Sequence, residues 1–430
     1  GLCGPGLMRG QNYMIKSIKI GALAVAGALA LAACGGGSSS GGGSALVIGS
    51  DLPLQGASAD ASASSNNAIK LFLEQIGNKA GDYTVSLKEY DDSTAAKGAW
   101  DDAQCAKNAQ EHVANAAEVA VMGTYNSGCA KIILPVLNSD PTGPMLMVSH
   151  ANTNPGLTVA WDPGEPEKYY PTGAKNYARI IPHDVFQGSA AAQFAFQDRK
   201  VTKCAVLNDN QTYGQGVAKA FATEFAKQGG EVVIDEAWDV KPGTDYTPLM
   251  QQIKTSGADC LYFGGIYDNN GGALFKSSVA VLGDNASFFK MAPDGFSGYP
   301  DLQGMPEAEG LYMSFAGKSL DAMLKDSGKG GEFVKAYQAK YGADPVSSYA
   351  VYAAAAVQFI TKAIAASDGT RKGVTDAVFA GEKLCVTDEE SITGVGYCID
   401  PATGDTDRLG LTILQMTGGK EVDLMPWEVK

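Results

Sequence analysis

From residue 45 onward, short runs of aliphatic and β-branched residues alternate with longer stretches whose apolar positions recur every three or four residues. The short runs at 45–50 (ALVIGS), 83–91 (YTVSLKEYD), 118–124 (EVAVMGT) and 144–149 (PMLMVS) predict strands. The stretches at 64–76, 95–113 and 129–138 predict helices between them. Such alternation builds a parallel sheet with helices on both faces. A loop rich in Pro and Gly at 154–173 interrupts the pattern, which then restarts. Strands are predicted at 204–209, 231–238 and 259–265, and helices at 214–229, 247–257 and 273–283. No residue-level repeat is visible, yet the order of elements is duplicated. The expectation is an α/β protein of two doubly wound lobes in series, with the ligand crevice at the carboxyl ends of the strands. The loops at those ends, SDLPLQGASAD, GTYNSGCA, SHANTNPG, NDNQTYGQG, GGIYDNNGG and APDGFSGYP, gather the polar, hydroxyl-bearing and Gly residues. Their concentration at one end of both lobes predicts a site between the lobes.

The pattern upstream of residue 45 is of another kind. Lys16 and Lys19 precede residues 20–33, all apolar or Gly, and Cys34 follows. That run is too short to span a bilayer and has the make-up of a secretion signal. Leu31-Ala32-Ala33-Cys34 resembles the lipobox of bacterial lipoproteins, which implies that Cys34 is acylated and becomes the first residue of the mature chain. Residues 1–13 lie ahead of a candidate start at Met14, so Cys3 is expected to be absent from the mature protein. The Gly/Ser segment 35–44 then reads as a leash with a reach of roughly 17–19 Å. The strongest later candidate for a membrane span, YAVYAAAAVQFI at 349–360, is too short to cross.

Charge and cysteine content narrow the function classes. The chain carries 33 basic and 47 acidic residues, a formal net charge of −14. Removal of Arg9, Lys16 and Lys19 with the signal makes it more acidic, which argues against nucleic acid and against lying on anionic lipid. Cys3 and Cys34 aside, the remaining cysteines fall in three near pairs, Cys105/Cys129, Cys204/Cys260 and Cys385/Cys398. Six cysteines in an exported chain allow 15 disulfide connectivities, and sequence proximity is a guide only. There is no CxxC, and His112, His150 and His183 lie far apart, so neither a metal nor a redox site is expected. No GxSxG, HExxH, P-loop or strand-linked GxGxxG occurs, so no catalytic residue and no cofactor are expected. One enzyme reading stays open, with Ser127 on a strand-to-helix turn as nucleophile, although nothing marks His150 as its base.

At the strand-end loops the sequence resembles the substrate-binding proteins of branched-chain amino-acid ABC importers, of the Leu/Ile/Val-binding kind with the type I periplasmic fold. The resemblance rests on DLPLQGASA after the first strand, YDD (90–92), YNSGCA, RIIPHDVFQG (179–188) with Asp184 and Gln187, NDNQTYGQGVAKAF, and GTDYTPLMQQIKTSGADCLYFGG. It covers residues 45 to the end, and it implies two lobes joined by a multi-strand hinge. The implied organisation is a signal with extension (1–34), a linker (35–44), lobe one (45–182), lobe two (183–312), a return to lobe one (313–392) and a return to lobe two (393–430). A Cys105–Cys129 disulfide is implied as well. Cys385–Cys398 would bracket a crossover hairpin, while Cys204 and Cys260, at the starts of neighbouring strands, are left as either bonded or two buried thiols.

The resemblance also assigns ligand roles. Ser127 and Asn126, with Ala151, Asn152 and Thr153, would meet a ligand carboxylate, and Tyr213 and Asp294 its ammonium. Tyr267 would supply an aromatic wall if one inserted residue is allowed, Ile266 taking the direct position otherwise. Hydroxyls, backbone N–H groups and a helix amino end suit a carboxylate, and an acid with a tyrosine hydroxyl suits an ammonium. The expected function is capture of a small amino acid, branched-chain in type, by a monomeric lipid-anchored protein that serves an ABC permease. The alternatives are an amide, urea-like or aromatic-acid ligand, or a sensory capture role. The duller roles for the same residues are a helix cap at Ser127, turns at Asn152, Thr153 and Asp294, and packing at Tyr213.

Overall fold

The computed structural model describes residues 45–429, and structural statements refer to these. The signal region with Cys34 and the 35–44 linker lie outside the described residues.

Two sheets organise the chain. The first has the order Lys79–Ala80, Tyr83–Asp91, Ala45–Leu52, Glu118–Gly123, Leu146–Ser149, Tyr177–Arg179. Its strands run parallel except for the short antiparallel edge Lys79–Ala80. Glu118–Gly123 and Leu146–Ser149 are buried at every residue, as parallel strands covered on both faces must be. The apolar run at 349–360 lies inside the helix Ser348–Ala365, which packs against Ala59–Gln75 and the sheet. A helix buried along most of its length belongs to the core, and no described helix is long and apolar enough to cross a membrane.

The second sheet has the order Glu231–Ala237, Lys203–Asn208, Cys260–Gly264, Phe289–Ala292, Tyr312–Phe315, Leu411–Thr417, Lys420–Trp427. The first five strands are parallel and the last two are antiparallel. That closing hairpin turns on Gly418 and Gly419, at φ 59° and 75°, the left-handed pair that a two-residue hairpin loop demands. The chain passes between the sheets three times: between Arg179 and Asp184, between Phe315 and Lys329, and between Cys398 and Leu411. Two α/β halves joined by several crossings is the type I periplasmic-binding architecture.

The predicted helix at 95–113 is shorter in the structure. Ser93–Thr94 and Ala99–Trp100 pair as a small hairpin, and the helix Asp102–Ala114 starts only where Asp101 accepts N–H bonds from Ala103 and Gln104 at 3.0 and 3.1 Å. The helix predicted at 64–76 starts earlier, at Ala59, with the small side chains of Ser62 and Ser64 buried on its inner face. Three disulfides join Cys105 to Cys129, Cys204 to Cys260 and Cys385 to Cys398. The first ties the helices Asp102–Ala114 and Ser127–Asn138 together, and the second links register partners at the starts of two neighbouring parallel strands.

Candidate functional site

In each sheet the strand order reverses next to the first strand of the lobe, between Ala45–Leu52 and Glu118–Gly123 and between Lys203–Asn208 and Cys260–Gly264. Loops leaving such neighbours diverge to opposite faces and leave a crevice. Both crevices contribute to one cleft. It is bordered by Tyr125, Asn126, Ser127 and Ala151 from the first lobe, by Tyr213, Ile266, Asp294 and Gly295 from the second, and by Tyr349 of the core helix. The room among them is about 10 Å³, on the order of one water. A second chamber of about 10 Å³ lies behind Tyr125 and Tyr349, bordered also by Leu52, Ser58, Ser62 and His150.

Asp294 is the electrostatic centre of the cleft. It is 1 % exposed, and its two carboxylate oxygens accept hydrogen bonds from the hydroxyls of Tyr213 and Tyr349, one from each lobe. Its backbone N–H donates to Gln187 Oε1 at 2.9 Å, an oxygen that also accepts from the Ser314 hydroxyl at 3.0 Å. Burial raises the Asp294 pKa above its ordinary value of 3.8, against the lowering effect of these hydrogen bonds. Asp184 is buried nearby, and burial together with the charge of Asp294 raises its pKa as well. Among the described residues, no Lys or Arg comes within ion-pair distance of Asp294; the buried Arg179 pairs with Asp405 instead, at 2.6 Å. Asp294 therefore faces a cleft supplied with neutral donors, while Asp184 is buried close enough to feel its charge.

The opposite wall is a helix start. Asn126 precedes the helix Ser127–Asn138, so the first N–H groups of that helix, which lack intrahelical partners, open at the cleft. Ser127 Oγ accepts the Asn154 N–H at 3.3 Å, and that bond, not an imidazole, is its hydrogen-bond contact. Asn126 Oδ1 is buried without a partner.

Of the residues singled out from the sequence, the cleft brings together Ser127, Asn126, Ala151, Tyr213 and Asp294. Asn152, Thr153 and Tyr267 lie outside its lining. The Asn152 side chain donates to the carbonyls of Thr124 and Tyr125 at 2.7 and 3.0 Å and thereby braces the Tyr125 loop. The Thr153 carbonyl accepts the Asp184 N–H at 2.7 Å, at the start of the helix Asp184–Gln193. Tyr267 packs on Phe296 and Tyr299. Its neighbour Ile266 borders the cleft because Asp209 fixes that loop, accepting N–H bonds from Ile266 at 3.0 Å and from Asn269 at 2.7 Å. Gly214 completes this arrangement, since a Cβ there would collide with the Asp209 carboxylate. Ile266, the alternative the sequence left open beside Tyr267, is the one that borders the cleft, whereas Tyr125 and Tyr349 were not foreseen as lining residues, Tyr349 being hidden in a run that reads as pure core.

Asp92 also lies beside a sulfur pair, but Cys105 and Cys129 are bonded to each other and offer no thiolate to a metal.

Residues 46–383 match the family model described as periplasmic binding protein. A Leu/Ile/Val-binding protein homolog from Brucella melitensis is 28% identical over 389 residues, covering 88% of this chain and 93% of that protein. A leucine binding protein from Thermotoga maritima superposes with a TM-score of 0.73 at 21% identity, covering 89% of this chain and 98% of that one. A solute binding protein from R. palustris in complex with 4-hydroxybenzoate gives 0.74 at 20% identity, covering 90% and 97%. At these identities, the structural likeness shows a shared fold.

Proposed function

Because this chain belongs to the periplasmic binding protein family, we propose that it captures a small α-amino acid between two closing lobes outside the cytoplasm and delivers it to an ABC importer. The observation that carries this reading is Asp294, a buried carboxyl that meets neutral hydrogen-bond donors, the Tyr213 and Tyr349 hydroxyls first, and no described Lys or Arg at ion-pair distance, with the buried Asp184 near enough to feel its charge. Burying a charge without a counter-charge is costly, and a ligand ammonium removes that cost with a charge-assisted hydrogen bond. The ligand carboxylate goes to the other wall, where the first N–H groups of the helix Ser127–Asn138 and the Ser127 hydroxyl favour an anion. An ammonium and a carboxylate on one carbon thus fit walls that belong to different lobes. Completing both sets of contacts requires closure, so the ligand shifts the equilibrium toward the closed form. The name of the Brucella relative makes leucine, isoleucine and valine the first ligands to assay.

An aromatic acid is the second reading, favoured by the tyrosine walls and by the 4-hydroxybenzoate complex of the R. palustris protein. Asp294 separates the two. With an amino acid as ligand, Asp294→Asn lowers affinity by about 2–4 kcal/mol, roughly 30- to 1000-fold by calorimetry. The deaminated carboxylic acid binds weakly to both proteins. Undiminished affinity in Asp294→Asn would reject the amino-acid reading.

Acylation of Cys34 and the 35–44 leash complete the proposal, placing the receptor beside its permease. Labelling with a radioactive fatty acid tests this: Cys34→Ser should carry no label and should leave the membrane fraction.

A further inference from the structure

The chamber behind Tyr125 and Tyr349 is built for something other than an aliphatic group. His150 borders it, is 1 % exposed, and has Nδ1 buried without a hydrogen-bond partner. Burial lowers its pKa to about 3, so the ring is neutral and offers one N–H donor and one nitrogen acceptor. The hydroxyl-bearing residues Ser58 and Ser62 border the same chamber, and Ser58 donates across the cleft to Asp268. Buried polar atoms in native proteins are paired almost without exception, so a buried imidazole with one bare nitrogen at the border of a cavity is a candidate to meet a ligand atom.

The two chambers share one origin. His150 and Ala151 are consecutive residues beyond the strand Leu146–Ser149, and Ala151 borders the Asp294 chamber while His150 borders the inner one. The partition is the edge-on pair Tyr125 and Tyr349, with ring centroids 5.7 Å apart. The Tyr349 hydroxyl is tied to Asp294. A ligand ammonium that takes over Asp294 releases that tie and lets the partition open, which makes the two chambers one.

We propose that His150 is the specificity-determining residue for the ligand's side chain, and that the captured α-amino acid ends in a hydroxyl or a carboxamide. This rests on the amino-acid reading of Asp294. Such groups match a neutral imidazole, each offering it a donor and an acceptor. An anionic end would come near Asp268, whose carboxylate already accepts from Ser58 of this chamber.

Isosteric pairs test this on the unaltered protein, because threonine matches valine in shape and asparagine matches leucine. Calorimetric titration should give threonine and asparagine about tenfold or greater advantages over valine and leucine. His150→Leu should abolish those ratios, and His150→Gln, which keeps a donor and an acceptor, should retain part of them. If valine binds as tightly as threonine and leucine as tightly as asparagine, the His150 proposal is overturned and amino-acid capture stands. If no α-amino acid binds, alanine and glycine included, both readings are overturned.

Discussion

Asp294 shows how much a single side chain depends on its surroundings. In PDG on an exposed loop it would be a turn former with an unremarkable carboxyl. Buried between Tyr213 and Tyr349, it holds its proton to higher pH than a free aspartate does. The sign of the consequence follows from linkage. A raised carboxyl pKa stabilises the empty fold fully below the ordinary value near 3.8, and that stabilisation is lost as pH climbs through the raised value. An ammonium ligand needs the ionised form, so binding expels the proton. Affinity should therefore rise with pH until Asp294 is ionised and then level off, while Asp294→Asn should show a flat profile over the same range. Calorimetry in buffers of different ionisation enthalpy would read the released proton directly, and its absence would count against an ammonium at this position.

At the scale of elements, buried polar links set the positions of helices against strands. His112, on the helix Asp102–Ala114, contacts Asp51 of the first strand at 3.0 Å and Glu118 of the neighbouring strand. Burial would lower its pKa, but the hydrogen bonds and charges of the two acids prevail and raise it to about 9. Its stabilisation is complete below pH 6.5 and fades as pH rises through 9. The denaturation midpoint should accordingly fall between pH 6.5 and 8, the range before Lys290, lowered to about 8 by burial, adds a contribution of opposite sign. An imidazole resonance titrating near pH 6.5 would contradict this. The same helix shows the limit of periodicity. Its apolar spacing was legible, but its start was set by Asp101 and by a short hairpin upstream, which are cap and turn features that a periodicity window smooths over. The run at 349–360 was legible as apolar; that Tyr349 turns its hydroxyl to Asp294 was not, because nothing local distinguishes it from Tyr352, whose hydroxyl accepts the Lys318 N–H.

Across the whole molecule, the closed arrangement is held by few direct bonds. Besides Tyr349 to Asp294, the described residues of the two lobes meet through Ser58 with Asp268 and Tyr299, through the hydroxyls of Tyr125 and Tyr299, through Asn154 Nδ2 and the Thr212 carbonyl at 3.0 Å, and through Lys219 and Asp162 at 3.4 Å. The last pair is about half exposed on both sides and contributes little, below about 1 kcal/mol. Each hydrogen bond is worth about 1 kcal/mol net. Closure without ligand is then shallow, and a ligand bridging both lobes tips it. Small-angle scattering should show a smaller radius of gyration on ligand addition, and Lys219→Ala should leave that change nearly intact. An unchanged radius with a bound ligand would contradict a closing mechanism.

Sequence alone determined the duplicated α/β order, the strand-end placement of the polar loops, the near pairing of the cysteines, and five residues that share the cleft: Asn126, Ser127, Ala151, Tyr213 and Asp294. The first three are local or periodic properties, carried by spacing and by short motifs, whereas the five cleft residues were assigned through the resemblance to a known family. Tertiary structure decided that Ile266 and not Tyr267 borders the cleft, that Asn152 braces a loop, that Cys204 and Cys260 are bonded, and that Tyr125, Tyr349 and His150 shape the inner chamber. Those outcomes depend on which distant segments meet. A single residue of register, or the position of one buried carboxylate such as Asp209, selects between neighbouring side chains, and no window along the chain contains both partners.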